Sequence, residues 1–140
     1  MLEMVVGFLF DAEYKNVMLV KKNRPPWQDG KLNGVGGKIE IDEAPLVAMH
    51  REFFEETGYI INNFNNFAIL NGATWRVYFY ETVINKLKVL EEFENDEEIV
   101  IEKISNLPEN TMFNLRWLIP LALDNDMLRP VILYDNSNLL

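Results

Sequence analysis

The sequence predicts an α/β fold in which a mixed β-sheet lies between helices. Apolar, β-branched-rich runs such as residues 3–10, 17–23 and 74–84 read as strands. Residues 43–57 and about 115–123 instead carry the features of helices. Strands mixed with two helices argue for a sheet flanked by them.

Taken in order, residues 3–10 and 17–23 flank an Asp11–Asn16 turn and form a hairpin. Asn23 to Leu32, with Pro25, Pro26 and Gly30, is a loop that leaves Trp27 exposed. A short strand over Val35–Ile39 leads into the first helix. Asp42 is expected to cap that helix, Pro45 falls in its first turn, and Gly58 ends it in the left-handed conformation. The Asn62–Asn66 run is a turn, followed by strands near Phe67–Leu70 and Thr74–Ile84. An acidic loop, Glu91–Glu98, precedes a strand near Ile99–Ile104. The second helix, Leu115–Leu123, carries Trp117 and Leu121, with Pro120 placed to kink it. Trp75, Tyr78, Tyr80 and Trp117 are read as core or sheet-face packing. No linker, repeat or low-complexity tract interrupts the chain, and 1–140 reads as one domain.

Composition bounds the function. Apolar residues make up 49% of the chain, which fits a globular core and not disorder. The longest apolar run, Met4 to Phe10, is too short to span a bilayer and lacks the basic flank of a signal peptide. The absence of cysteine excludes disulfides and thiol catalysis and is consistent with the cytoplasm. A net charge of −9 disfavours long nucleic acids and anionic membranes as partners. A small anionic substrate fits only where cations neutralise the site locally. Oligomeric state is left open.

The chemistry concentrates in the first helix. Glu52, Glu55 and Glu56 share one stripe of it. Like charges at that spacing repel by roughly 0.2–0.5 kcal/mol per pair. Such a stripe persists where water screens it or where a cation sits on it, and hard oxygen ligands suit Mg²⁺ or Mn²⁺ over zinc. Leu46, Val47, Phe53 and Phe54 fall on the opposite, apolar side, together with His50, the only histidine. Ala44 and Ala48 lie beside the stripe and leave room for an approaching group. Arg51, four before Glu55, can hold that carboxylate. Glu43 lies away from the stripe and is assigned to electrostatic support of the helix N-terminus.

Gly37, five residues, Glu43, seven residues, then Arg51-Glu52-Phe53-Phe54-Glu55-Glu56-Thr57-Gly58-Tyr59 resembles the Nudix box, G-x5-E-x7-R-E-U-x-E-E-x-G-U. The departures are Phe53 and Tyr59, which stand where the family usually has an aliphatic residue and remain bulky and apolar. The resemblance implies an α/β/α sandwich and a hydrolase that uses Mg²⁺, with Mn²⁺ as an alternative. It implies metal ligands at Gly37 (through its carbonyl), Glu52, Glu55 and Glu56. A further carboxylate in the Asn95-Asp96-Glu97-Glu98 loop, either Glu97 or Glu98, completes the metal site or acts in catalysis. The catalytic set is therefore Arg51, Glu52, Glu55 and Glu97, with Glu52, Glu55 and Glu97 all open as the general base.

Leu32-Asn33-Gly34-Val35-Gly36-Gly37-Lys38 is similar to the W-N-G-x-G-G-K of the oxidised-purine nucleoside triphosphate hydrolases within that family. Gly36 and Lys38 then face the substrate, and Asn33 reads its base. Thr111-Met112-Phe113-Asn114 matches the base-contacting segment before the last helix, with Phe113 to stack and Asn114 to hydrogen-bond. Leu32 replaces the usual Trp, and Asn114 stands where Asp is common. The implied reaction is hydrolysis of a nucleoside triphosphate, oxidised purines included, to the monophosphate and pyrophosphate. Alternatives are cleavage of another nucleoside diphosphate-linked compound, such as a dinucleoside polyphosphate or an RNA 5′ end, and a non-catalytic nucleotide sensor.

Overall fold

The computed structural model describes residues 1–136 and contains an eight-stranded mixed sheet with one helix packed on each face. Strand β1 (Leu2–Asp11) is central. It pairs in parallel with β6 (Trp75–Ile84), which continues antiparallel to β5 (Asn65–Asn71) and from there in parallel to β8 (Val131–Tyr134). On its other edge β1 meets β2 (Asn16–Lys21) only at Leu9–Met18 and Phe10–Val17. Beyond that point the two strands separate. The gap is filled by one extended segment, as β3 (Leu32–Asn33) against β2 and as β4 (Val35–Lys38) against β1. The far side of β2 carries β7 (Glu98–Lys103).

Successive side chains of β1 point to opposite faces, and both faces are apolar. Phe8 and Phe10 pack with Leu115, Leu118, Ile119 and Ala122 of α2 (Leu115–Leu123). Val5 and Leu9 pack with Ala48, Met49 and Phe53 of α1 (Pro45–Thr57). Fully burying each such side chain is worth roughly 1.5–3 kcal/mol, which fixes the sheet between the helices. Gly7 of β1 opens space for the Met49 side chain, which a Cβ there would meet at 3.0 Å.

The sandwich therefore has the expected class, but some elements differ. β3 begins at Leu32, the last residue of the segment read as loop, where backbone pairing with β2 extends the chain before the expected strand at Val35. β8 was not expected at all; four residues carry too little periodicity to stand out. Helix α1 starts later than its capping pattern suggests. Asp42 adopts φ 64°, and Ala44 takes the cap position with no side-chain hydrogen bond. Gly58 does end the helix in the left-handed conformation, at φ 81°. Helix α2 continues through Pro120, which is exposed.

The buried face of α1 is also rotated from the expected one. Leu46, Val47 and Phe54 are exposed, whereas Ala48, Met49, Phe53 and Thr57 are buried. The core thus flanks the Glu52–Glu56 stripe instead of opposing it, and the carboxylates are drawn toward the sheet. Ala48 offers no room, being fully enclosed. Trp75 and Tyr80 are buried and Tyr78 is half-buried, while Trp117 is exposed. His50 is half-buried, with its ring edge-on to Phe64 at 5.1 Å. Trp27 is exposed as expected.

Candidate active site

The site is built where α1 crosses β4. Gly36 and Gly37 allow the close approach: a Cβ on Gly36 would sit 1.8 Å from the Val5 carbonyl oxygen, and one on Gly37 would sit 2.5 Å from the Glu52 carboxyl carbon. Only glycine lets the strand lie against β1 on one side and take a glutamate carboxylate on the other. Lys38 is exposed, and its carbonyl accepts a hydrogen bond from Arg51 at 3.0 Å.

Arg51 organises the outer end of the stripe. Its guanidinium donates to both Glu43 carboxylate oxygens at 2.8 Å, to Glu52 at 2.8 Å and to Glu55 at 3.3 Å. The planar fork suits such bidentate pairing. Glu43 is therefore the principal partner of Arg51, which corrects its assignment to the helix N-terminus: the chain before α1 turns back at Asp42 and brings the carboxylate alongside the helix. Hydrogen bonds from Arg51, then from the Glu40 N–H, hold the Glu43 carboxyl down to about 2. Glu55 is exposed; Glu52 is half-buried, and its burial raises its pKa against the opposing effect of Arg51.

Glu56 stands differently. It is largely buried against the Gly36 backbone, and its Oε2 is buried with no hydrogen-bond partner. Desolvation pushes its carboxyl up to about 8; the Lys22 charge opposes this, and the charges of Glu52 and Glu97 add to it. Glu97, just before β7, is buried at 4% exposure, whereas Glu98 is exposed and paired into the sheet. Of the two loop candidates, the structure thus brings Glu97 inward. Its oxygens accept from the Lys22 ammonium at 3.0 Å and the Asn23 N–H at 2.7 Å. Glu56 and Glu97 line one cleft of about 430 Å³ between α1, β7 and the preceding loop. Phe93 closes that loop onto the end of α1, edge-on to Phe54 at 5.7 Å and directly over Gly58.

A divalent metal fits this arrangement in part. Among the described residues no three His, Cys, Asp or Glu side chains form a finished cage, since Arg51 and Lys22 engage several of the carboxylates. The unpaired Glu56 oxygen, with Glu52 lying against Gly37, nevertheless offers the hard oxygen donors that Mg²⁺ takes. Residues able to hold the ion are Glu52, Glu56 and Glu97, the Gly37 carbonyl and, with a change of rotamer, the exposed Glu55.

A second polar group lies beyond the glycine tract. Leu32 donates its N–H to the Asn110 carbonyl at 2.9 Å and accepts from the Met112 N–H at 2.9 Å. This docks the Thr111–Asn114 segment beside β3, although nearly eighty residues of chain intervene. Asn33 donates to Gln28 Oε1 at 3.1 Å and accepts from the Gly34 N–H at 2.8 Å. Asn114 Oδ1 and Thr111 Oγ1 are buried without hydrogen-bond partners, and Phe113 is exposed. Gln28 and Lys22 were missed in the sequence. Nothing in the Pro-rich loop marks Gln28 as buried, and the ion pair of Lys22 spans 75 positions.

The fold and the box agree with the comparisons to known proteins. The NUDIX domain family matches residues 3–125. Similar solved structures include a MutT protein of Bacillus halodurans, 19% identical, covering 96% of this chain and 87% of its own, with a TM-score of 0.70. A NUDIX hydrolase of Nitrosomonas europaea is 16% identical over 97% of this chain and 79% of its own, at 0.71. A MutT NUDIX hydrolase of Burkholderia pseudomallei is 19% identical over 85% and 97%, at 0.65. No curated protein matches the chain in sequence. The chain belongs to the NUDIX domain family, and the class that its fold and box define is the Nudix hydrolase.

Proposed function

We propose that this chain is a Mg²⁺-dependent pyrophosphohydrolase of nucleoside triphosphates, releasing the monophosphate and pyrophosphate. The observation that carries the reading is the buried, unpaired Glu56 oxygen at a cleft that Glu97 also lines, next to the Gly36–Gly37 stretch of β4. A buried carboxylate oxygen without a partner costs about 1–3 kcal/mol or more, so its natural complement is a cation. When bound, the cation neutralises phosphate charge and stabilises the leaving group.

The residues supply the rest. Arg51 holds Glu52 and Glu55 so that their mutual repulsion does not splay them apart. The exposed Lys38 ammonium and the Gly36 backbone lie where phosphate oxygens would pass. Water adds its oxygen to a phosphorus as the P–O bond of the anhydride breaks; its proton goes to Glu52, Glu55 or Glu97. On the other side of the glycine tract, Asn114, Asn33 and the exposed Phe113 face the base. Among the described residues no helix is long and apolar enough to cross a membrane. We place the enzyme in the cytoplasm, with small nucleotides as its partners.

The test is hydrolysis of canonical and oxidised nucleoside triphosphates with pyrophosphate detected. Turnover should require Mg²⁺ or Mn²⁺ and disappear with excess chelator. Retained turnover in chelator rejects the metal, and orthophosphate as the only inorganic product rejects the reaction.

A further inference from the structure

Outside the Arg51 cluster, one ion pair is almost wholly buried. Lys22 and Glu97 lie 3.0 Å apart with side-chain exposures of 16% and 2%. The backbone of Lys22 is held on both sides, its N–H on the Lys31 carbonyl at 2.8 Å and its carbonyl on the Gly30 N–H at 2.7 Å. Asn23 donates from its backbone to Glu97 and from its side chain to the Asp96 carbonyl at 3.1 Å. The end of β2 thus grips the acidic loop just before β7.

Stability alone is a weak reason for such a pair. Removing both ions from water offsets most of their attraction, and apolar side chains of like size often serve as well. Position gives a better reason. Glu97 shares its cleft with Glu56, whose free oxygen has no other nearby partner. Two carboxylates at one small space cannot both stay ionised without a positive charge beside them, and Lys22 is the ammonium placed there. A lysine ammonium is a compact charge on a flexible stem, better able to let go than an arginine fork.

We propose that Lys22 is a positioning residue that acts as a resident counterion: it holds Glu97 beside Glu56 in the metal-free protein and competes with the incoming divalent cation for that carboxylate. This rests on the reading that Glu56 and Glu97 belong to the metal site. Lys22 thereby weakens metal binding while keeping the empty site in shape.

The test is calorimetric titration of Mg²⁺ into metal-free protein at low ionic strength, without nucleotide, alongside thermal denaturation. Lys22→Met should bind Mg²⁺ roughly three- to thirtyfold more tightly than wild type, because a cation–cation repulsion is gone. Its metal-free melting point should fall by about 5–15 °C, since Glu97 is left buried and unpaired. Lys22→Arg, which keeps the charge, should bind within about threefold of wild type. Lys21→Met, exposed and next along the chain, should change affinity by less than about twofold. Equal or weaker binding by Lys22→Met overturns the competition while leaving the metal site intact. A wild type that binds no Mg²⁺ overturns both. Should Lys22→Met fail to fold, the Lys22 side-chain methylene resonances of the wild type decide: they shift on Mg²⁺ saturation if the pair opens, and staying unmoved overturns the proposal.

Discussion

Arg51 and Glu56 lie on the same helix, a little over one turn apart, yet their surroundings are opposite. Around Arg51 the carboxylates of Glu43 and Glu52 and the Lys38 carbonyl meet the guanidinium within 3.0 Å. Around Glu56 one oxygen is buried with nothing to accept from. The first end is complete as folded, while the second keeps an open acceptor that the proposed cation would meet. Holding the outer carboxylates with a permanent guanidinium keeps the stripe from splaying by self-repulsion. In the function proposed above, leaving Glu56 unmet reserves affinity for a ligand. On that proposal the same helix carries a structural half and a reactive half, and box residues with identical side chains do different work.

The largest effect should come from breaking the reactive half. Glu56→Gln keeps size and helix propensity but removes a carboxyl that can ionise to meet a cation. We expect kcat to fall by roughly 10²–10⁴ with the fold intact. Metal-free thermal stability at neutral pH should rise, because a carboxyl that folding forces to take up a proton is gone, and the stabilisation by added Mg²⁺ should shrink relative to wild type. Near-wild-type turnover at saturating metal would reduce Glu56 to a buried spectator and erase the contrast between the two ends.

The base side repeats the contrast on a smaller scale. Asn33 is already engaged with Gln28 and Gly34, whereas Asn114 keeps an unpaired oxygen. Losing a polar reader costs about 1–3 kcal/mol by leaving its partner on the base unpaired. Asn114→Ala should accordingly lower kcat/KM by roughly 5- to 150-fold for the preferred purine and far less for a pyrimidine triphosphate. Asn33→Ala should show a smaller selective loss with a part shared by all nucleotides, because it also loosens the loop before Gly34. Equal losses for purines and pyrimidines with both variants would mean that neither side chain reads the base.

The box itself was legible because its spacing is local: a helix places Glu52, Glu55 and Glu56 on one stripe whatever surrounds it. Which way that stripe faces was not. The wheel made Leu46, Val47, Phe53 and Phe54 the core side, since apolar residues usually turn inward. In the fold Phe53 is buried as expected, but Leu46, Val47 and Phe54 are exposed and the buried face is completed by Ala48, Met49 and Thr57, beside the carboxylates. Glu97 could be singled out only from the family's habit, because its burial depends on Lys22 and Asn23 far away in the chain. β3 and β8 were missed because two and four residues are too short for a pattern to stand out, and their place in the sheet depends on partners distant in the chain.

The smallest expected effect sharpens the structural half. Glu43 binds Arg51 through both oxygens, and these hydrogen bonds hold its carboxyl near 2, against 4.5 for an ordinary glutamate. A carboxyl whose pKa is lowered by folding favours the folded state wherever it is ionised, and that contribution disappears once it is protonated in both states. The contribution of Glu43 should thus be complete above about pH 4.5 and be lost as the pH falls toward about 2. Glu43→Gln removes it. The difference in melting temperature between wild type and variant should be constant from neutral pH down to about 5 and then close between about 4.5 and 2. Thermal denaturation across that range, without metal, reads the difference directly. A gap that persists unchanged to pH 2 would mean that Glu43 supports Arg51 by shape and not by charge. The completed end of the helix would then owe its order to Glu52, Glu55 and the Lys38 carbonyl alone.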